Sequence, residues 1–152
     1  MKSQMADSIT KEIYLRKDYL RGQSIDTIYF GGGTPSLFSQ NELGQILKAI
    51  QHVHDISSVE EITIEVNPDD ITMEKAIELR SLGFNRLSIG IQSFMEKDMR
   101  YMHRAHTASQ SHSVIEICKT AGFEKISVDL IYGIPDTNLE GWKKNLKIVS
   151  EK

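Results

Sequence analysis

Apolar residues in the first third of the chain recur first at helical spacing, then in a short run, then at helical spacing again. Residues 4–21 place their apolar side chains on one side of a helix, and Gly22 can take the left-handed conformation that ends it. Residues 25–30, IDTIYF, are β-branched and aromatic and lead into a glycine triplet, which predicts a buried strand ending in a loop. Ser39 and Glu42 have capping-box spacing and precede a periodic apolar stripe, so a second helix follows.

The alternation of strand and helix continues to the end of the chain. The pattern predicts strands at 60–66, 86–92 and 125–131, and helices at 72–82, 109–121 and 139–149. The segment LGFNRLSI (82–89) is echoed by AGFEKISV (121–128), each with a helix end, a glycine and a strand start. Repeated βα units indicate a parallel sheet with right-handed crossovers, either doubly wound or part of a (β/α) barrel.

Three of the predicted strands have one aliphatic and one small or polar face, which favours the barrel. A parallel strand covered on both faces is normally apolar on both, whereas a polar face suits an interior that holds a ligand or water. Glu65, Gln92 and Asp129 are on the polar faces near the carboxyl ends of their strands. Substrates bind at that end of the sheet in α/β proteins.

Composition narrows the class of protein. The chain has 152 residues, of which 39% are hydrophobic and 26% charged, so we expect one globular domain over residues 1–152. A net charge of -3 gives no general reason to bind nucleic acid. No apolar run approaches the ~20 residues of a membrane span, and the first residues lack a signal-peptide core, so a cytoplasmic protein is expected.

Thiolate ligands are scarce in the sequence, and its histidines lack the spacing of a metal site. A single cysteine, Cys118, excludes an internal disulfide and any site that needs several thiolates from this chain. His103, His106 and His112 lie close together but lack regular metal-ligand spacing, and a loop with a functional Arg104 is the favoured interpretation. No metal site is therefore predicted within the chain.

Each candidate binding residue also has a purely structural interpretation. The triplet Gly31-Gly32-Gly33 can bring a ligand close to backbone N–H groups, or it can simply form a tight turn. It matches neither a P-loop nor a dinucleotide fingerprint. Glu65, Gln92 and Asp129 can each be solvated strand-end groups, and Arg104 can be a surface arginine. The face shared by Glu65, Gln92 and Asp129 favours a common site.

The motifs, taken in order, resemble one family. They are YFGGGTPS (29–36), IEVNP (64–68), GFNRLSIGIQSF (83–94), HRAH (103–106) and VDLIYGIP (128–135). This set is similar to the radical S-adenosylmethionine (SAM) proteins of the oxygen-independent coproporphyrinogen oxidase type, and more to the heme chaperone branch than to the decarboxylating oxidase. The resemblance covers residues 25–150, nearly the whole chain.

The resemblance implies a fold and a set of site residues. The fold is an α/β, incomplete parallel (β/α) barrel of the TIM-like radical SAM type, with about four of its six units. The residues implied to contact SAM are Gly32, Gly33, Thr34, Glu65, Gln92, Arg104 and Asp129. Arg104 would hold the methionyl carboxylate and Asp129 a ribose hydroxyl, while the glycines, Thr34 and Glu65 would lie beside the amino group.

The resemblance fails at the iron–sulfur cluster. The family holds a [4Fe-4S] cluster with the three cysteines of a CxxxCxxC loop, and this sequence has one cysteine. We therefore expect a fragment that lacks this loop and the C-terminal domain, has no catalytic residues of its own and is inactive alone.

Three functions remain open at this point. The full-length protein could be a heme chaperone that passes heme to an acceptor protein, or a coproporphyrinogen III oxidase. The chain could also be a cluster-free SAM-binding module. An incomplete barrel exposes two edge strands, so a dimer formed through them is also expected.

Overall fold

The computed structural model describes residues 1–151, which form a four-stranded parallel sheet with helices between the strands. The helices and strands, in chain order, are α1 (Lys2–Leu15), β1 (Thr27–Phe30), α2 (Gln40–Val53), β2 (Glu61–Val66), α3 (Met73–Ser81), β3 (Arg86–Gln92), α4 (Glu96–Tyr101), α5 (Ala108–Thr120), β4 (Lys125–Leu130) and α6 (Leu139–Ser150). Single 3-10 turns at Pro35–Leu37 and Pro68–Asp70 follow β1 and β2.

The strands lie in the sheet in the same order as in the chain, β1-β2-β3-β4, and every neighbouring pair is parallel. A doubly wound sheet reverses its strand order at a switch point, whereas a (β/α) barrel adds each strand beside the last one. The sequential order therefore agrees with part of a barrel. The register between β3 and β4 shifts between Ile89 and Gln92.

The apolar core lies between one face of the sheet and helices α2, α3 and α5. Ile64, Leu87 and Ile89 from the strands are fully buried there, as are Leu43 of α2 and Leu79 of α3. Burying side chains of this size contributes about 1.5–3 kcal/mol each. These contacts leave the opposite, polar face of the sheet for the site.

The helix starts follow from local sequence. Ser39 and Thr107 form full capping boxes with Glu42 and Gln110, at the starts of α2 and α5. Asn138 caps α6 through a hydrogen bond from the backbone N–H of Gly141. None of the helices in residues 1–151 is long and apolar enough to cross a bilayer.

One predicted helix end was wrong, and one short helix was not predicted. Helix α1 ends at Leu15, not near Gly22, because residues 16–22 turn back towards β1 through left-handed conformations at Arg21 and Gly22. Helix α4, a six-residue helix over 96–101, was not predicted, because one and a half turns are too short to show a periodic pattern.

Candidate functional site

The polar face of the sheet carries charge at both ends. At the amino ends of the strands, Arg86 pairs with Glu61 at 3.4 Å and also donates a hydrogen bond to Ser127. Lys125 lies 3.8 Å from the second oxygen of Glu61. Thr63 and Ser88, in the middle of the face, are 1% and 6% exposed. The predicted alternation of polar and aliphatic faces is therefore present in the structure.

Glu65 and the glycine loop meet at the carboxyl ends of β1 and β2. The backbone N–H of Gly32 donates to Glu65 Oε2 at 3.0 Å, and the Tyr29 hydroxyl donates to Oε1 at 2.9 Å. Gly32 and Gly33 have φ of +80° and +64°, and a Cβ on either would meet no heavy atom within 4 Å. The loop therefore presents open space beside a half-buried carboxylate.

A second group of side chains converges on Gly90 of β3. The Arg104 guanidinium donates to Asn67 Oδ1 at 3.1 Å and to the Gly90 carbonyl at 3.2 Å. Asn67 in turn donates to the Thr34 hydroxyl at 3.5 Å. The Gln92 amide nitrogen lies 2.9 Å from where a Cβ on Gly90 would stand, so a side chain at position 90 would collide with it.

Gln92 reaches the polar face through an irregular backbone. It has φ of +70°, which is rare for a residue with a side chain, and it sits at the register shift between β3 and β4. Its carbonyl accepts a hydrogen bond from Ile131 N–H. With this backbone, the Gln92 amide and Asn67 Oδ1 both lie over Gly90 on the polar face.

Asp129 is the outermost member of the site. It is exposed, and both of its oxygens lie 3.3 Å from the Ser88 hydroxyl on the neighbouring strand. Desolvation and the hydrogen bond to Glu65 raise the pKa of Tyr29 most, a hydrogen bond with Ser88 lowers it, and the charges of Glu65 and Asp129 raise it further. Tyr29 therefore lies within the electrostatic influence of both carboxylates.

The structure places the seven predicted residues along one edge of the sheet but in distinct contacts. Gly32 donates to Glu65, Thr34 connects to Arg104 through Asn67, and Asp129 accepts a hydrogen bond from Ser88. Sequence reasoning left out Tyr29 and Asn67 as binding residues. Tyr29 was overlooked because an aromatic side chain in a strand is usually counted as apolar. It lies on the polar face because its partner in the neighbouring strand is Thr63.

The histidines near Arg104 do not form a metal site. His106 is buried, with Nε2 3.2 Å from the Ile91 carbonyl oxygen and Nδ1 3.5 Å from Asp69 Oδ1. His112 packs against the Phe94 ring at 4.9 Å between centroids. Across residues 1–151, no three His, Cys, Asp or Glu side chains are grouped closely enough to hold a metal ion.

The charged side chains of the site match the charged groups of SAM, but the residues of this chain cannot ligate an iron–sulfur cluster. SAM has an ammonium and a carboxylate, which match Glu65 and the Arg104 guanidinium, whose buried Nε has no hydrogen-bond partner. A cluster needs three thiolates, but Cys118 is buried in the apolar core and burial raises the pKa of its thiol to about 12. Any cluster would need ligands from outside these 152 residues.

Solved structures confirm the predicted partial barrel. Coproporphyrinogen III oxidase (HemN) from Escherichia coli, a radical SAM enzyme, matches with a TM-score of 0.86 and 30% identity over 99% of this chain and 35% of that one. The archaeal Elp3 of Methanocaldococcus infernus matches with a TM-score of 0.73 at 21% identity, over 91% of this chain and 37% of that one. The latter likeness shows the fold alone.

Sequence relatives point to the same group. Heme chaperone HemW of Lactococcus lactis is 38% identical over 125 residues, which are 82% of this chain and 33% of that protein. The oxygen-independent coproporphyrinogen III oxidase of Escherichia coli is 30% identical over 148 residues, 97% of this chain and 32% of that protein. The chain thus spans about a third of the length of these relatives. A model of the radical SAM superfamily matches residues 6–149, and the chain belongs to that superfamily.

Proposed function

We propose that this chain is the SAM-binding part of a radical SAM protein of heme metabolism, a heme chaperone that passes heme to an acceptor protein. The observation that carries the SAM assignment is the placement of Glu65 and Arg104. These opposite charges lie at one end of the polar face, beside a glycine loop with open space. This arrangement suits a zwitterionic amino acid, with each charge of the ligand facing its opposite.

Each site residue has a role that its chemistry supports. Glu65 would accept hydrogen bonds from the ligand ammonium, beside Gly32, Gly33 and Thr34. Arg104 would donate to the carboxylate, and Asp129 would accept from a ribose hydroxyl. Gln92, with both a donor and an acceptor on its amide, would complete the polar contacts.

This part of the protein binds and orients SAM but holds no cluster. In radical SAM proteins, SAM bound to a reduced [4Fe-4S] cluster supplies a carbon-centred radical. With one cysteine, the present residues cannot hold that cluster, so we expect the chain alone not to cleave SAM. Glu65 and Arg104 would fix the amino-acid end of the ligand whether or not a cluster is present.

Two heme-related functions compete for the full-length protein. The 38% identity to the Lactococcus lactis heme chaperone favours heme transfer. The oxidase alternative is favoured by a relative that aligns over 97% of this chain and by a TM-score of 0.86 to HemN. We adopt heme transfer as the proposal and oxidative decarboxylation of coproporphyrinogen III as its rival.

Binding of SAM to the purified chain tests the shared part of the proposal. Equilibrium dialysis with radiolabelled SAM should show saturable binding, and E65Q should weaken it roughly 10-fold or more, because a hydrogen bond to a charged group contributes about 1.5–3 kcal/mol. The control E60Q changes an exposed glutamate just before β2 and should bind like the wild type. Equal losses of SAM affinity in E65Q and E60Q, or no saturable SAM binding by the wild type, would contradict the proposal.

The choice between chaperone and oxidase needs the protein that carries this chain together with its cluster. Hemin titration followed by absorbance should show stoichiometric binding, and incubation with coproporphyrinogen III, SAM and a reductant should release no CO₂. Stoichiometric CO₂ release without hemin binding would establish the oxidase. The isolated chain should form no 5′-deoxyadenosine under the same reducing conditions.

A further inference from the structure

We propose that Tyr29 is a positioning residue that holds Glu65 in place to receive the ammonium group of the ligand. The inference rests on the proposed SAM site and goes beyond it, since it adds a residue that acts through Glu65. It also says which part of the ligand that residue affects.

Two neutral donors hold the Glu65 carboxylate. The Tyr29 hydroxyl reaches Oε1 at 2.9 Å and the Gly32 N–H reaches Oε2 at 3.0 Å. Because the two oxygens accept from two separate groups of β1 and the loop after it, rotation of the carboxylate would break at least one of these bonds. Each oxygen can accept at least one further hydrogen bond, which leaves room for an ammonium donor.

Neither donor neutralises the carboxylate. Within residues 1–151 Glu65 has no ion-pair partner, although the other end of the same strand carries Glu61 paired with Arg86 and Lys125. Desolvation and then the hydrogen bond to Glu65 raise the pKa of Tyr29 above its usual value, so the phenol stays protonated and remains a donor throughout the physiological range. With only these neutral donors on it, the Glu65 carboxylate has no opposite charge beside it among residues 1–151 and is available to pair with a cationic ligand.

Gly31 makes this arrangement possible. A Cβ at position 31 would stand 2.6 Å from Tyr29 Cε1 and 2.8 Å from Glu65 Oε1, which is closer than real Cβ contacts. Any larger residue would therefore displace the ring, the carboxylate or both. The first glycine of the triplet has a steric role that differs from that of Gly32, which supplies a donor.

The closing experiment compares SAM with 5′-methylthioadenosine, which lacks the amino-acid end, in wild type and Y29F. Phenylalanine keeps the ring and loses only the hydroxyl. We expect Y29F to bind SAM about threefold to tenfold more weakly, the range of one hydrogen bond, and to bind methylthioadenosine like the wild type. Y101F, at a similarly exposed tyrosine of α4, is the matched control and should change neither affinity.

A double-mutant cycle completes the test. In an E65Q background, Y29F should change SAM affinity much less than in the wild type, because its target is already altered. G31A should reproduce the selective loss of SAM by displacing the ring. The inference is overturned if Y29F binds SAM like the wild type, if it loses both ligands equally, or if its effect adds fully to that of E65Q. Failure of the wild type to bind SAM would instead remove the proposed function itself, and this inference with it.

Discussion

At the residue scale, a buried polar group fixes the loops that carry the site. Asp98 at the start of α4 is 1% exposed and accepts hydrogen bonds from the hydroxyls of Ser93 and Thr137, the former at 2.6 Å. Asn145 of α6 donates to Ser93 and accepts from the Phe94 N–H. These hydrogen bonds join the loop after β3 to the loop after β4 and to α6.

Removing the Asp98 carboxylate should destabilise the protein measurably. D98A leaves the Ser93 and Thr137 hydroxyls without their acceptor in a buried place, so we expect the free energy of unfolding to fall by about 1–3 kcal/mol. Urea unfolding followed by circular dichroism measures this. The control E124A, at an exposed glutamate just before β4, should change the free energy of unfolding by less than about 0.5 kcal/mol. Similar unfolding of D98A and E124A would show that the network contributes little.

At this scale, the alternation along the strands predicted which side chains lie on the polar face. Glu65 and Asp129 lie on the polar face as their strand parity predicts, and Gln92 reaches it despite the register shift. Tyr29 was missed because a strand tyrosine indicates burial as readily as hydrogen bonding. The assignment of all seven residues to SAM stays a prediction.

At the scale of elements, boundaries were predictable where a local signal exists. The starts of α2 and α5 follow capping boxes, and β2, β3 and β4 lie within a residue of their predicted bounds. The end of α1 has no such signal, since apolar residues continue beyond Leu15 at helical spacing. The chain turns there because it must return to start β1 parallel to β2.

The Ser39 cap of α2 gives a prediction at this scale. S39A removes the hydroxyl that accepts a hydrogen bond from the Glu42 N–H and donates one to the Glu42 carboxylate, so the free energy of unfolding should fall by about 1 kcal/mol. S113A, inside α5, should lower stability less, because the Ser113 hydroxyl only donates a hydrogen bond to the Gln110 carbonyl within the same helix. Thermal unfolding of both variants checks the difference. An S39A protein as stable as S113A would mean that tertiary packing alone sets this helix start.

At the scale of the whole molecule, the sheet has unpaired edges and the surface has exposed apolar side chains. Strands β1 and β4 each pair with one neighbour among residues 1–151. Tyr132 and Leu139, which follow β4, are 80% and 65% exposed. Such edges and side chains favour association with another chain. That residues 1–152 form a single domain stays a prediction, as does dimerisation of the chain.

Light scattering should show a mass above the 17.3 kDa of one chain, rising with concentration. The double variant Y132S and L139S removes exposed apolar area next to the β4 edge and should shift the equilibrium towards the single chain. The pair I77S and Y101S, at helical residues 54% and 57% exposed, is the matched control. A wild type that remains at the single-chain mass across concentrations would contradict this prediction.

The sequence by itself determined the order of βα units, the two faces of the strands and the absence of enough cysteines for a cluster, because these depend on periodicity and composition. Only the tertiary structure decided that the strands add sequentially, that α1 stops at Leu15 and that Tyr29 and Asn67 join the site. Tyr29 and Glu65 are 36 residues apart in the chain. Contacts between residues so far apart depend on how the strands align, which local patterns do not encode.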